Sequence, residues 1–357
     1  IIIGNPPWGA EFSQNEKNYL LQKYPEIPTK TKDSYLYFIS KSLQLLKTDG
    51  LLGFIVPNTW LLINNAREFR ERILSLDLKE IIDYGDGIFD QCTVESSSII
   101  LAKNDNPKGE CQAIRYRKKE LVIDHIVKKE MWYKDDLSRI IIDLDMDKQS
   151  IIDKLNKIGT PFEKVCSIIW GIKPYQVGYG KPAQTQEMVD RRVYHSETKK
   201  GNAWKPLIVG SNVDRYKLNF PGNQFIKYGE WLMYPSNEEL ILGPKLLMRQ
   251  TSDILRASYD DKKYYPQNSV FIIHSNEINL KYLLGLLNST LFKFVYQMKN
   301  PQKGKVFAAI KPSAIKQLPI RVINFSDPKE KSIHDKMIDL VDQMLGLNKR
   351  LAKAKTQ

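Results

Sequence analysis

Cysteine is scarce in this sequence, with three residues in a chain of 357. Cys92, Cys111 and Cys166 lie far apart, and no Cys-x-x-Cys pair or His/Cys cluster has the spacing of a metal-binding motif. A disulfide-stapled scaffold and a zinc ribbon are therefore excluded as organising features. Such sparse cysteine usage is typical of proteins in a reducing cytoplasm, which is where we expect this chain to act.

Long apolar runs are also missing. Stretches such as residues 51–56 and 99–102 are far too short to span a bilayer, and no signal peptide opens the chain. We therefore expect no membrane partner. The chain begins Ile-Ile-Ile rather than with methionine, and we expect this start to lie inside a longer natural protein.

Clusters of metal-binding or nucleophilic residues are absent from the sequence pattern. The four histidines are scattered, so we expect no metal site. No Gly-x-Ser-x-Gly, phosphate-binding loop or Cys/His signature is present. Asp190 with Glu197 and Lys199 is the nearest approach to a nuclease carboxylate cluster, and its short spacing favours a solvated loop.

Positive charge is abundant and concentrated in one block. The net charge is +13, and residues 161–325 hold 24 basic and 12 acidic side chains, whereas residues 1–110 are net negative. A basic block of this length indicates an anionic partner, with nucleic acid as the first candidate. The alternatives are a generally soluble basic surface or a membrane surface, and no basic amphipathic helix supports the latter.

The order of apolar patterns in the first 110 residues predicts an α/β fold. Continuous apolar runs such as 51–56 are typical of strands covered on both faces, and Leu36, Ile39 and Leu43 recur at helical spacing. The predicted strands lie at 1–3, 51–56, 81–82 and 98–101, and the predicted helices at 36–46 and 66–76. This is the C-terminal half of a doubly wound, Rossmann-like domain, whose other half would precede Ile1.

Three further segments follow. Residues 111–160 are poorly periodic and are interpreted as a connector with short strands and a helix near 147–157. Residues 161–325 predict an α+β domain. Residues 326–357 predict a helix that begins at Asp327 and Pro328. Its apolar residues repeat in a 4-3-4-3-4 pattern, which indicates a seam for another helix in this chain or in a partner: Ile333, Met337, Leu340, Met344, Leu347 and Leu351.

The most specific chemical signal is the tetrapeptide Asn5-Pro6-Pro7-Trp8, directly after the first predicted strand. In α/β sheets, ligands bind beyond the carboxyl ends of the strands. Pro6 keeps Asn5 out of the helical region, and the two prolines fix their own φ angles and bring no N–H group. The loop is therefore stiff, and it presents the Asn5 amide oxygen and the Pro6 carbonyl as acceptors beside a flat indole. A rigid turn with an exposed tryptophan is the alternative interpretation.

Two acceptors beside a flat ring suit an exocyclic amino group on a planar base. The lone pair of such a nitrogen is delocalised into the ring, which makes it a poor nucleophile. Acceptors on both N–H bonds favour a pyramidal nitrogen whose lone pair can attack a methyl group in line. Held reactants and aimed dipoles then supply the rate, without a covalent intermediate.

At this point the sequence resembles a known family. Asn-Pro-Pro-Trp matches the catalytic motif of amino-group DNA methyltransferases, which use S-adenosylmethionine, and the neighbouring segments are similar to the TaqI-like adenine-N6 methyltransferases, which include the fused type IIG restriction–modification enzymes. The segments that carry the resemblance are 33–46, 50–62, 88–90 and 94–101 in the first part of the chain and 204–216, 244–258, 282–294 and 310–319 in the part that resembles the TaqI-like specificity domain.

The resemblance implies a role for individual residues. Asn5 and the Pro6 carbonyl would hold the amino group of a flipped adenine, with Pro7 stiffening the loop. Trp8 would stack on one face of the base and Phe89 on the other, which together offset the cost of extruding the base. Asp33 and Tyr35 would lie near the methionine end of the cofactor. Core packing remains the alternative for Phe89, and a plain helix cap remains the alternative for Asp33.

One departure from the family pattern is large. The main cofactor motif of the family, a strand followed by a Gly-rich turn, lies upstream of the catalytic motif and is absent from this sequence. Gly85-Asp86-Gly87 and Gly178-Tyr179-Gly180 stand in the wrong order and context, so both are interpreted as turns. We therefore expect a fragment that lacks most of the S-adenosylmethionine pocket and does not methylate alone.

The basic block is expected to bind double-stranded DNA, mostly through phosphates, so that binding weakens steeply with salt. Arg249 and Arg256 lie in the family-like segments and are the first candidates. The full candidate set is Lys173, Lys181, Arg191, Arg192, Arg215, Lys245, Arg249, Arg256, Lys299, Lys303, Lys305 and Lys311.

Two other functions stay open at the level of the sequence. An amino-group methyltransferase acting on protein glutamine or on RNA can also carry Asn-Pro-Pro followed by an aromatic residue, although the large basic domain argues against it. A DNA-binding specificity module without its own catalysis is the non-enzyme alternative.

Overall fold

The computed structural model describes residues 1–27, 33–85, 94–117, 119–300 and 308–354. It divides into two compact units, Ile1–Asp153 and Lys154–Gln357. The first unit is built around a six-stranded mixed sheet, and the second contains several smaller antiparallel or mixed sheets with helices. The prediction of an α/β unit followed by an α+β unit and a C-terminal helix is confirmed.

The sheet of the first unit has the strand order β1-β2-β4-β3-β5-β6. Its strands are β1 (Ile2–Gly4), β2 (Leu51–Pro57), β3 (Leu76–Gly85), β4 (Ser96–Asp105), β5 (Glu110–Arg117) and β6 (Glu120–Lys128). The α-helices are α1 (Gln14–Lys23), α2 (Ser34–Leu45), α3 (Arg67–Ser75) and α4 (Glu130–Tyr133), and α5 (Met146–Ile158) crosses the boundary between the two units.

The predicted connector is corrected by this sheet. β5 pairs in parallel with β3, from Glu80 opposite Gln112 to Asp83 opposite Arg115, and β6 pairs antiparallel with β5. Residues 110–128 therefore complete the sheet of the first unit. β6 is an edge strand whose residues are mostly exposed, which explains why its apolar pattern is weak.

The strand directions gather four loop regions at one edge. β1 is parallel to β2, and β3 runs in the same direction because both β2 and β3 pair antiparallel with β4. β5 is parallel to β3. The carboxyl ends of β1, β2, β3 and β5 therefore lie along the same edge of the sheet, where α/β proteins place their ligands.

The second unit contains twelve short strands and seven helices within the described residues. The strands are β7 (Thr160–Pro161), β8 (Ser167–Trp170), β9 (His195–Ser196), β10 (Trp204–Ile208), β11 (Val213–Asp214), β12 (Lys217–Leu218), β13 (Phe225–Lys227), β14 (Lys245–Arg249), β15 (Ala257–Asp260), β16 (Tyr265–Pro266), β17 (Val270–His274) and β18 (Pro319–Ile320). The helices are α6 (Phe162–Val165), α7 (Gln186–Asp190), α8 (Glu238–Leu242), α9 (Leu280–Leu287), α10 (Thr290–Lys299), α11 (Pro312–Lys316) and α12 (Pro328–Ala354).

One sheet of the second unit separates two hydrophobic cores. Its strand order is β15-β14-β17-β8. Leu246 and Met248 point into a core that they share with helices α9 and α10, whereas Leu247 lies in a second core with β10 and β13. This alternation follows from the two-residue period of a strand, and it leaves β14 buried on both faces.

The C-terminal helix packs on its own unit, through a face that includes Met337 of the predicted seam but is rotated away from its other members. Met337 and Val341 approach Gly285 of α9 so closely that a Cβ there would lie 3.0 Å from Met337 and 3.2 Å from Val341. Lys281 and Asp342 form an ion pair beside this contact, with 2.7 Å between Nζ and Oδ1. The other members of the predicted seam are exposed: Ile333, Leu340, Met344, Leu347 and Leu351. None of the helices in the described ranges is both long enough and apolar enough to cross a bilayer.

Candidate active site and nucleic-acid interface

The Asn-Pro-Pro-Trp segment leaves the sheet at the carboxyl end of β1, as predicted. Asn5 and Pro7 are exposed, Pro6 is buried and Trp8 is half-buried. The buried Pro6 fixes the loop to the sheet edge, so the Asn5 side chain reaches solvent from a backbone with little freedom. An exposed amide on such a backbone is available to an external ligand.

The start of α2 anchors this loop from its other side. The Asp33 carboxylate accepts a hydrogen bond from the Gly9 N–H at 2.9 Å, and the Ser34 hydroxyl donates a short hydrogen bond to the Pro7 carbonyl. Asp33 stands at the N-cap position, but its side chain makes no capping hydrogen bond. In this structure Asp33 tethers the motif loop to α2 and does not cap the helix, and its place near the cofactor stays a prediction.

Replacing Asp33 by Ala is expected to loosen the motif loop while leaving the fold intact. The Gly9 amide loses a charge-assisted acceptor worth about 1 kcal/mol, so its hydrogen exchange should become roughly fivefold faster. Asp33→Asn is the matched control, because its amide oxygen can still accept from Gly9. Hydrogen exchange followed by NMR measures both variants, and an unchanged Gly9 rate in Asp33→Ala would show that the tether does not hold the loop.

Tyr35 does not form part of a ligand site in this structure. Its side chain is fully buried, and its hydroxyl lies 3.4 Å from the Thr59 hydroxyl. Burial raises the pKa of this hydroxyl far above its usual value, and the contact with Thr59 opposes the rise only in part. The core of the first unit therefore encloses the Tyr35 side chain, and the expectation that Tyr35 lies near the cofactor stays a prediction.

A buried carboxylate at the same sheet edge was missed by the sequence reasoning. Asp83, near the end of β3, is almost fully buried and accepts hydrogen bonds from Asn58 Nδ2 at 3.0 Å and from the Gly85 N–H at 3.1 Å. Arg115 Nε and Arg117 Nη2 donate to its other oxygen at 2.9 and 3.0 Å. Burial alone would raise the pKa of Asp83, but the two guanidinium groups outweigh it and hold the pKa below its usual value.

This network fixes the end of β3. Gly85 has a φ of +69°, and a Cβ there would lie 2.7 Å from Arg117 Nη1, so the position requires glycine. Asp86 and Gly87, the other residues of the predicted turn, lie outside the described residues. Phe89, the predicted second stacking residue, lies outside the described residues. In the sequence, Asp83 directly follows the apolar pair Ile81-Ile82, near the end of a predicted strand where ligands bind. This position is the feature from which Asp83 could have been predicted.

The predicted DNA-contacting residues of the second unit are mostly at its surface. Lys181, Arg191, Arg192, Arg215 and Lys311 are exposed, and Lys173, Arg249 and Arg256 are half-exposed. Some have acidic neighbours: Arg191 lies 2.9 Å from Glu187, and Lys181 lies 3.9 Å from Glu230. These pairs are solvated and therefore weak, so they leave the cations available to phosphates. Lys303, Lys305 and the Lys299 side chain lie outside the described residues.

Arg249 and Arg256, the first candidates for DNA contact, lie on neighbouring strands. They flank the end of the β14–β15 pairing, and the Arg249 N–H donates to the Arg256 carbonyl at 3.0 Å. Arg256 Nη1 also lies 2.9 Å from Asp214. The two guanidinium groups therefore belong to one surface cluster, with Arg256 oriented by a carboxylate.

Lys245 is removed from the DNA-contacting set by its burial. Neither Lys245 nor Asp260 has any exposed side-chain surface, and the Lys245 Nζ lies 2.6 Å from the Asp260 carboxylate. Lys245 also donates to the Ile241 carbonyl. Burial lowers the pKa of Lys245, and the neighbouring carboxylate opposes this shift. A cation enclosed in this way stabilises the fold through its ion pair with Asp260, and it does not reach a phosphate.

Metal chemistry finds no support in the part of the chain that the structure describes. No group of three or more His, Cys, Asp or Glu side chains there could hold a metal ion. Asp190 ends α7 and accepts a hydrogen bond from Gln186, while Glu197 and Lys199 are exposed.

Comparison with protein families confirms the resemblance seen in the sequence. Residues 1–89 match the Eco57I restriction-modification methylase family, and residues 205–320 match the TaqI-like C-terminal specificity domain. A putative type II restriction enzyme and methyltransferase of Methanocaldococcus jannaschii is 27% identical over 98% of this chain. The type II restriction enzyme and methyltransferase RM.Eco57I of Escherichia coli is 29% identical over 30% of this chain.

The chain covers only part of these relatives, 29% of the Methanocaldococcus protein and 11% of the Escherichia coli protein. Among solved structures, the Type IIL restriction-modification enzyme MmeI in complex with DNA matches with a TM-score of 0.54 and 13% identity, over 94% of this chain and 48% of that chain. The Type ISP enzyme LlaGI, bound to a DNA substrate mimic, matches with a TM-score of 0.50 and 11% identity, over 97% of this chain and 35% of that chain. At this identity the likeness concerns the fold.

Proposed function

We propose that this chain, which combines a restriction-modification methylase segment with a TaqI-like specificity domain, takes part in site-specific methylation of the adenine N6 amino group in double-stranded DNA. In this proposal the Asn5–Trp8 loop receives an adenine flipped out of the duplex, and the second unit binds the surrounding DNA. The observation that carries the proposal is the anchored loop at the carboxyl edge of the sheet, held by Pro6 from below and by Asp33 and Ser34 from α2.

The proposed chemistry needs only what the loop presents. The Asn5 amide oxygen and the Pro6 carbonyl would each accept one N–H of the adenine amino group. This polarisation localises the nitrogen lone pair, and the tether through Asp33 keeps both acceptors from drifting as the charge develops. The indole of Trp8 would lie against the base, since stacking on an aromatic ring contributes about 1–3 kcal/mol per base.

S-adenosylmethionine is the proposed source of the methyl group. Within the described residues, Tyr35 is enclosed in the core and the Asp33 carboxylate accepts a hydrogen bond from Gly9. We therefore assign no residue of this chain to the cofactor. The match of residues 205–320 to a specificity domain supports a second candidate function, in which this chain binds DNA without performing catalysis itself.

The basic surface of the second unit supports DNA as the partner. The Arg249–Arg256 cluster and the exposed Lys181, Arg191 and Arg192 would neutralise phosphates, and counterion release would make the binding strongly dependent on salt. Arginine at a cluster of this kind can also read a guanine edge.

Analysis of the methylated nucleoside tests the proposal. The protein is produced from its natural gene and incubated with unmethylated plasmid DNA and methyl-labelled S-adenosylmethionine, and the DNA is digested to nucleosides. We expect the label in N6-methyldeoxyadenosine. Label in N4-methylcytosine, or in RNA or protein instead of DNA, would contradict the proposed substrate. DNA binding without any label would favour the binding-only candidate.

A further inference from the structure

A loop of the second unit presents an exposed tyrosine on a closely constrained backbone. The Gly178-Tyr179-Gly180 tip has φ angles of +83° at Gly178 and +86° at Gly180, which glycine adopts without strain. The Tyr179 and Val177 side chains are each 48% exposed. The sequence indicated a turn here, and the structure adds that its two larger side chains are exposed.

A buried glutamine fixes this loop. Gln184 is 2% exposed, and its Nε2 donates to the Pro174 and Trp231 carbonyls at 2.8 Å each, while its Oε1 accepts from the Gln176 N–H at 3.0 Å. The backbone closes the same loop, because Gly178 N–H donates to the Gln184 carbonyl and Gln184 N–H to the Tyr179 carbonyl. A Cβ on Gly180 would lie 2.2 Å from the Trp231 carbonyl, so the loop packs directly on its neighbour.

Aromatic residues pack together at the base of this loop. The Tyr175 and Tyr194 rings stack with centroids 5.7 Å apart, and the Tyr175 hydroxyl accepts from the Tyr194 N–H at 2.9 Å. The same hydroxyl lies 2.8 Å from His195 Nδ1. Burial, with a contribution from Arg192, lowers the pKa of His195 to about 4. The imidazole is therefore neutral near pH 7 and can accept a hydrogen bond from the Tyr175 hydroxyl. Residues 176–194 therefore form a segment that leaves the second core and is fixed at its base by these contacts.

Three exposed cations follow the tip in the chain. Lys181 follows the tip directly, and Arg191 and Arg192 follow α7, which begins directly after Gln184 and the capping Thr185. All three are exposed, and the acidic partners of Lys181 and Arg191 are solvated pairs of the weak kind. An exposed aromatic tip followed directly by a lysine, in a unit with an exposed basic surface, has the chemistry of a nucleic-acid contact, in which cations hold phosphates and an aromatic ring meets a base.

We propose that Tyr179 is a specificity-determining residue that contacts a base of the bound duplex, with the Gly178–Gly180 tip held ready by Gln184. This inference rests on the proposed DNA-binding function of the second unit and adds a particular contact to it. Because the conformation of the loop is set before DNA binds, little conformational entropy is lost when the ring contacts a base. The ring is neutral, so its contact adds sequence preference without adding to the dependence of binding on salt.

Selection from a pool of DNA duplexes with a randomised core tests the proposal. The full chain is compared with Tyr179→Ala, Tyr179→Phe and Phe325→Ala, the last being an exposed aromatic that lies against His334 of α12 beside the other core of the unit. The wild-type chain should enrich one motif, and Tyr179→Ala should bind that motif about tenfold more weakly, which is the lower part of the range for a base–aromatic contact. It should also lose preference at one or two adjacent positions, with the slope of log affinity against log salt unchanged.

Tyr179→Phe keeps the ring and should retain the motif, and Phe325→Ala should behave like the wild-type chain. Thermal midpoints of the four proteins should agree, since both substituted side chains are exposed. If Tyr179→Ala enriches the same motif with the same affinity, the inference is overturned. If the wild-type chain binds duplexes without enriching any motif, a specificity role for Tyr179 is overturned while DNA binding stands. If it binds no duplex at all, both the proposed DNA-binding function and this inference fail.

Discussion

Asp260→Leu is expected to lower the free energy of unfolding of the second unit by about 3–5 kcal/mol, because it leaves the Lys245 ammonium buried without its counter-charge. Lys245 and Asp260 occupy opposite positions on β14 and β15, and neither side chain has any exposed surface. Asp260 also accepts hydrogen bonds from the Lys262 and Tyr264 N–H groups at 2.8 and 3.1 Å, so its loss affects the turn that follows β15.

The paired variant Lys245→Met with Asp260→Leu separates the charge effect from the loss of packing. Removing both charges should recover at least half of the lost stability, because a buried ion pair can be replaced by apolar residues at little cost. Urea unfolding, together with hydrogen exchange of the β14 amides, measures the three proteins. A loss below about 1 kcal/mol in the single variant would mean that Lys245 escapes to solvent or loses its charge cheaply, contrary to the enclosed position described here.

Asn5→Ala is expected to reduce methyl transfer to DNA by roughly 100- to 1000-fold, which is the usual effect of removing one aimed hydrogen-bonding group from an active site. The amino group would keep the Pro6 carbonyl as an acceptor but would lose the second one, so its lone pair would stay delocalised. Because Asn5 is exposed, the stability of the first unit should change by no more than about 0.5 kcal/mol.

Asn15→Ala is the matched control for this prediction, since Asn15 is an exposed asparagine on the neighbouring helix α1. The methyl-transfer rate of Asn15→Ala should equal that of the wild-type protein. Equal rates in Asn5→Ala and the unmodified protein would remove Asn5 from the proposed catalytic role, whereas a matching loss in both variants would point to a general defect of the first unit.

The sequence predicted the features that depend on local rules. Two prolines after a short strand determine the path of the Asn5–Trp8 loop almost without reference to the rest of the chain. The helix α5 was expected near residues 147–157 and spans Met146–Ile158. The helix α12 begins at Pro328, as its capping residues predicted. In each case neighbouring residues carry enough information to determine the element.

Features that depend on pairing between distant segments were not predictable in this way. The Asp83 network joins β3 to β5, and its arginines lie more than thirty positions further along the chain, within a segment that was interpreted as a connector. The burial of Lys245 follows from a carboxylate on the next strand. For α12, the apolar repeat was visible, but the close approach of Gly285 selects which face packs. Tertiary contacts decide between faces that the sequence pattern leaves equivalent.

Long-read mapping of DNA methylation tests the central claim most directly. The natural gene is expressed, intact and as Asn5→Ala, in a host without DNA methylation, and N6-methyladenine is located along the host genome. The proposed function predicts one modified sequence motif with the intact gene and its disappearance with Asn5→Ala. Absence of modified adenine in both strains, or an unchanged motif in Asn5→Ala, would contradict the assignment of the adenine amino group to the Asn5 loop.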